Sequence, residues 1–156
     1  MDTATTFMGI SLLLVFLAPI GYLLIDQSLS EKKREKTLHK IAGEQNINLT
    51  QTDFLPDLAL GLDMDSRKLL IVPMPKKKNI KVIDLGNIRK CEMVKKYVNN
   101  KVSSNLDDVR KIALMIELAD SPAESVIFYA EGEHPVTEKE MRKFMALKWE
   151  KIMADL

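Results

Sequence analysis

The chain has 156 residues, 46% of them hydrophobic, with 23 basic and 22 acidic residues for a net charge of +1. A balance this even leaves no basic footprint for nucleic acid, and the single cysteine, Cys91, excludes an internal disulfide framework and fits a reducing compartment. The charge is unevenly placed, however, because every Lys and Arg follows residue 30.

Residues 1–6 are a short tail ahead of "FMGISLLLVFLAPIGYLLI", residues 7–25. These 19 residues carry no charge. At a helical rise of about 1.5 Å each they just cover a hydrocarbon core roughly 30 Å thick. A cleaved secretory signal would place a basic residue before a shorter apolar stretch and end on a small-x-small site. Here no Lys or Arg precedes Lys32, and "LLIDQSLS" offers no such site. The segment reads as a retained signal-anchor, a transmembrane helix in which Pro19 and Gly21 are accommodated as a bend. Lys32, Lys33, Arg34 and Lys36 follow the span closely, whereas only Asp2 precedes it. The positive-inside bias then predicts a single-pass protein of the cytoplasmic membrane, its N-terminus outside and residues 31–156 in the cytoplasm.

Residues 26–45 include "EKKREKTLHKIAGEQ", rich in helix formers but with only Leu38, Ile41 and Ala42 as an apolar set. This predicts a short basic helical stalk, ending at Gly43 or soon after. Residues 46–156 then form one domain, with balanced charge and enough chain for its own core. Strands are expected at 47–54, 58–62, 67–73, 79–85, 88–98, 109–119 and 124–130, separated by turn residues. In "KIALMIEL" the alternation of Ile112, Leu114, Ile116 and Leu118 with Ala113, Met115 and Glu117 is the period-2 pattern of a strand with one buried face. Seven strands in so short a stretch indicate a sandwich or a barrel.

The last element is helical. Thr137 and Glu140 have the spacing of a capping box, and Met141, Met145, Trp149, Ile152 and Leu156 recur along one face of an amphipathic helix. Burying a Trp is worth several kcal/mol by area, so Trp149 is expected as a plug closing the open end of the sheet structure.

Seven strands followed by one helix, together with "LALGLDMDSRKLLIV" leading into "VIDLGNIRKCEMV", resembles small bacterial membrane-anchored proteins with a pleckstrin-homology-like domain. The resemblance implies an α+β domain after the transmembrane helix: a partly open β-barrel of about seven antiparallel strands in two orthogonal sheets, capped by the C-terminal helix. It also implies binding of lipids, peptides or neighbouring proteins, and no reaction. Phosphoinositide-binding members of that superfamily use a basic loop between the first two strands. Here Lys76, Lys77 and Lys78 lie between the third and fourth, and the loop from Leu55 to Asp57 is acidic, so the headgroup role does not transfer by position.

Candidate chemistry is sparse. Asp63 and Asp65 begin like a calcium loop, but Arg67 and Lys68 occupy the fifth and sixth positions and no Glu closes the twelfth, so a hairpin turn is the better account. His39 and His134 are far apart and lack companion ligands at metal-binding spacing. Cys91 sits in a strand pattern with no helix N-terminus or catalytic signature beside it. No glycine-rich phosphate loop or nucleophile elbow occurs. The sequence therefore predicts no catalytic, cofactor-binding or metal-binding residues. The expected function is that of a non-catalytic adaptor, scaffold or accessory subunit with a protein or peptide partner. Lys95, Lys96 and Tyr97 on the fifth strand, with the tip at Lys76, Lys77 and Lys78, are the candidate contacts. The alternative is a sensor of anionic lipid that uses the basic stalk and the Lys-rich tip.

Overall fold

The computed structural model describes residues 31–74, 79–97 and 105–156, and the chain divides into two compact units, Met1–Asn46 and Ile47–Leu156. In the first, helix α1 covers residues 31–44, with Leu38, Ile41 and Ala42 buried and Lys32, Lys33 and Lys36 exposed. Its end is set by Asn46 rather than Gly43. Asn46 takes a left-handed φ of 54° and its N–H donates to the Gly43 carbonyl, a conformation that Asn adopts at lower cost than most residues. Among the described residues no helix is long and apolar enough to cross a membrane, and the span expected at 7–25 lies outside them.

The second unit is an α+β domain of two antiparallel sheets and a C-terminal helix. Its strands are β1 (Gln51–Phe54), β2 (Leu58–Asp63), β3 (Lys68–Pro73), β4 (Lys81–Asp84), β5 (Ile88–Tyr97), β6 (Val109–Leu118) and β7 (Glu124–Ala130), followed by helix α2 (Lys139–Ala154). One sheet runs β1-β2-β3-β4 and the other β5-β6-β7, so every hydrogen-bonded neighbour is also a sequence neighbour. The chain changes sheets over Leu85 to Asn87, where the Leu85 N–H donates to Arg67 O and Asn87 O accepts from Ala119.

The core follows the alternation along the strands. Leu58, Leu60 and Leu62 of β2, Leu69 and Ile71 of β3, and Ile112, Leu114 and Ile116 of β6 share one cluster with Phe128, Tyr129 and Trp149. β2 is buried along its whole length, which explains its nearly unbroken apolar run. On its other face Gly61 admits the Leu49 side chain: a Cβ there would lie 2.6 Å from Leu49 Cδ2. β1 correspondingly begins at Gln51, later than the alternation of "INLTQTDF" suggested.

The β2–β3 hairpin confirms the turn reading of "DMDSRK". Asp63 is buried, its Oδ1 accepting N–H bonds from Asp65 and Ser66 (both 3.0 Å) and its Oδ2 from Asn48 (2.8 Å). All these donors are backbone amides, so the side chain acts as an Asx-type turn cap.

α2 departs from the sequence expectation in two ways. Its first turn is a 3-10 turn, Val136–Glu138, and the residue at the helix N-cap is Glu138, without a side-chain capping bond, so the Thr137/Glu140 capping box is not formed. Its buried residues are Lys139, Arg142, Ala146, Trp149 and Met153, whereas Met141, expected on the buried face, is exposed. The buried stripe is therefore centred beyond Trp149 on the side carrying Arg142. Met145, Ile152 and Leu156 border the core as half-buried residues.

Candidate functional site

Arg142 could be buried only with its charge answered. It is 1% exposed, and its guanidinium donates to Phe128 O (2.7 Å), Glu138 Oε2 (2.8 Å) and Asp57 Oδ1 (2.6 Å). Asp57 lies in the β1–β2 turn, Phe128 on β7 and Glu138 one helical turn before Arg142. One side chain thus joins the four-stranded sheet, the three-stranded sheet and the start of α2.

His134 completes the cluster. The chain turns tightly after β7, with Gly132 at φ 86°, and returns His134 to Ala130. The Ala130 N–H can only donate, so His134 Nδ1 accepts it (2.8 Å), and Nε2–H donates to Asp57 Oδ2 (2.9 Å). Both ring nitrogens are committed. An Asp–His pair arranged this way has no nitrogen left to take a proton from a substrate, and it holds a turn in place instead. Burial alone would raise the Asp57 carboxyl, but the bonds from Arg142 and His134 outweigh it and hold the group below its ordinary value.

Lys139 is buried beside this cluster. Its Nζ donates to Asp107 O (3.3 Å) and lies 5.1 Å from the centre of the Tyr129 ring. Two buried polar atoms, the Tyr129 hydroxyl and Trp149 Nε1, have no hydrogen-bond partner among the described residues. On the far side of α2, Lys148 Nζ reaches both carboxylate oxygens of Asp53 on β1, at 2.8 and 2.7 Å.

The residues expected to meet a partner are divided by the strand period. β5 is an edge strand, paired on one side with β6. Lys95 lies opposite the core residue Ile112 and Tyr97 opposite Val109, and Tyr97 packs against the core; Lys96 lies opposite Lys111 on the other face. Register shifts between Ile88 and Lys90 and between Lys96 and Tyr97 bend the strand at both ends. Near its middle the Met93 N–H is taken by Glu150 Oε1 of α2 (2.8 Å). Lys32, Lys33 and Lys36 lie exposed on α1 and Arg34 is half-buried there, while Lys76, Lys77 and Lys78 lie outside the described residues. Trp149 is fully buried in the core cluster.

Cys91, facing the core from β5, is held protonated: burial first, then Glu150 and Glu92, push its thiol up to about 12. Among the described residues no three His, Cys, Asp or Glu side chains converge as metal ligands. Comparison of the chain with protein-family models, curated proteins and solved structures finds no match.

The Asp57–His134–Arg142–Glu138 cluster was missed in the sequence, yet one signal for it was present. Arg142, Ala146, Trp149 and Met153 recur at steps of four, three and four, and Glu138 precedes Arg142 by four. Excluding a charged residue from the apolar face hid the stripe.

Proposed function

We propose that the chain is a non-catalytic membrane protein, anchored by residues 7–25, whose cytoplasmic domain has the pleckstrin-homology-like arrangement and serves as an adaptor, scaffold or accessory subunit for a protein or peptide. Four strands in one sheet, three in the next and a C-terminal helix is the order that arrangement requires, and it supports the reading. The observation that carries the binding assignment is β5. It is a ten-residue edge strand whose Lys96 directly faces Lys111 across the β5–β6 pair. Like charges opposite one another in a sheet are destabilising, so the pair does nothing for the fold. An acidic segment laid along the Lys95–Tyr97 end of this edge, beyond the Met93 N–H that Glu150 occupies, would relieve the repulsion while adding a short strand.

The test is crosslinking of the full-length protein in its native membrane from a photoreactive residue at Val94, two residues from Lys96 on the same face of β5, with mass spectrometry of the adducts. A reproducible protein adduct lost in the Lys96→Glu/Lys111→Glu double variant is the expected outcome. Lipid adducts alone would favour the anionic-lipid sensor, and an adduct unaffected by the double variant would move the binding surface away from β5.

A further inference from the structure

A helix packed by one face onto a sheet ordinarily turns charged and polar side chains to water. α2 does not. Its exposed residues are Glu140, Met141, Phe144, Leu147, Lys151 and Ala154. Phe144 is 70% exposed, Met141 44% and Leu147 40%, and Val136 just ahead of the helix is 65% exposed. Met141, Phe144 and Leu147 follow at steps of three, each turned about 60° from the last at 3.6 residues per turn, so they form one slanting ridge. The opposite side of the helix already supplies Ala146, Trp149 and Met153 to the core, and Arg142 and Lys148 hold the ion pairs. Nothing in the domain's packing calls for the ridge.

We infer that the ridge is a membrane-contact face, by which α2 lies along an anionic bilayer with Phe144 and Leu147 in the headgroup–acyl boundary. Two observations select a bilayer as the occupant. The first is the chemistry beside the ridge: Lys143 and Lys151 lie between the exposed acids Glu140 and Asp155 at the two ends of the helix, and lysine stems can lie along apolar surface while their ammonium groups reach lipid phosphates. The second is reach. Residues 26–46 separate the apolar run from the domain, and even fully extended they span only about 70 Å. A tether that short raises the local concentration of bilayer seen by the domain, so a contact too weak to bind from solution becomes occupied. The inference rests on the anchor reading of residues 7–25, and goes beyond it by assigning a lipid surface to an element of the domain.

The full chain with Cys91→Ser and Leu147→Cys, labelled by a fluorophore at the introduced thiol, is reconstituted into nanodiscs of phosphatidylcholine alone or mixed equally with phosphatidylglycerol. Retention in the disc after alkaline carbonate reads the anchor; quenching by doxyl lipid reads the contact. The expected result is retention in both discs, quenching in the anionic discs, and its loss in Phe144→Asp and in Lys143→Glu/Lys151→Glu. Phe144 is so exposed that its replacement leaves the core intact. A retained chain whose label stays open to aqueous iodide overturns the contact face and leaves the anchor standing. A label shielded from iodide but unquenched by lipid means that protein covers the ridge, which also overturns the inference. A chain stripped by carbonate overturns the anchor, and this inference with it.

Discussion

Asp63 shows how a motif can carry the right residues for one role while the backbone gives them another. Its carboxylate is held at about 2, below the ordinary 3.8, chiefly by the Ser66 backbone N–H and hydroxyl and then by Asn48. A carboxyl whose folded value is depressed contributes stability that is present above the unfolded value and lost as pH falls through the folded one. Unfolding midpoints in urea should therefore be steady down to about pH 4 and fall between about 4 and 2. In Asp63→Asn the amide sets a donor against backbone donors, so the midpoint should be lower at pH 5 and flatter below it. A variant that keeps the wild-type slope below pH 4 would assign the acid loss to another group. Cys91 was legible by a different route, as a small apolar residue in a strand pattern, and it packs against the core from β5.

At the scale of elements, the strands were readable because alternation is a local signal. β2, β3 and β5 to β7 fall within a residue or two of their expected bounds, and β4 within two at its start. The face of α2 was not readable, because which side of a helix is buried depends on partners elsewhere in the chain. Arg142 belongs inside only because Asp57, far away in sequence, is brought to it. The three residues Lys95, Lys96 and Tyr97 were grouped as neighbours in sequence, and the pleat separates neighbours by construction. The edge of β5 has a guard that no strand pattern could disclose. Glu150 accepts the Met93 N–H, and a hydrogen bond to a charged group is worth about 1.5–3 kcal/mol. In Glu150→Ala the Met93 amide should exchange with solvent about tenfold faster or more, with amides of β6 unchanged. Equal acceleration throughout the sheet would mean that Glu150 supports the whole domain and does not shield one edge.

At the scale of the whole domain, the question is what keeps two sheets, each paired only within itself, in one unit. The apolar core is the main term, but two ion pairs fix α2 to the first hairpin, Asp57–Arg142 and Asp53–Lys148. They are not equivalent. Arg142 is sealed, and removing it strands the Phe128 carbonyl and leaves Glu138 and Asp57 without their cation. Losing one partner of a fully buried set costs about 3–5 kcal/mol. Here the Asp57 and Glu138 side chains are 43% and 26% exposed, so water offsets part of it. The loss should be about 2–3 kcal/mol, most of it from the Phe128 carbonyl. Lys148 is 38% exposed at its side chain, so water can replace it at Asp53 and the loss should be about 1 kcal/mol or less. Arg142→Met should therefore lower the urea midpoint severalfold more than Lys148→Met does, although both remove one positive charge from the same helix. The two substitutions combined should give the sum of their separate effects if each pair clamps the helix independently. A smaller combined loss would mean that releasing either pair already frees α2 from the first hairpin, and equal single losses would refute the view that burial at Arg142 sets the strength of the clamp.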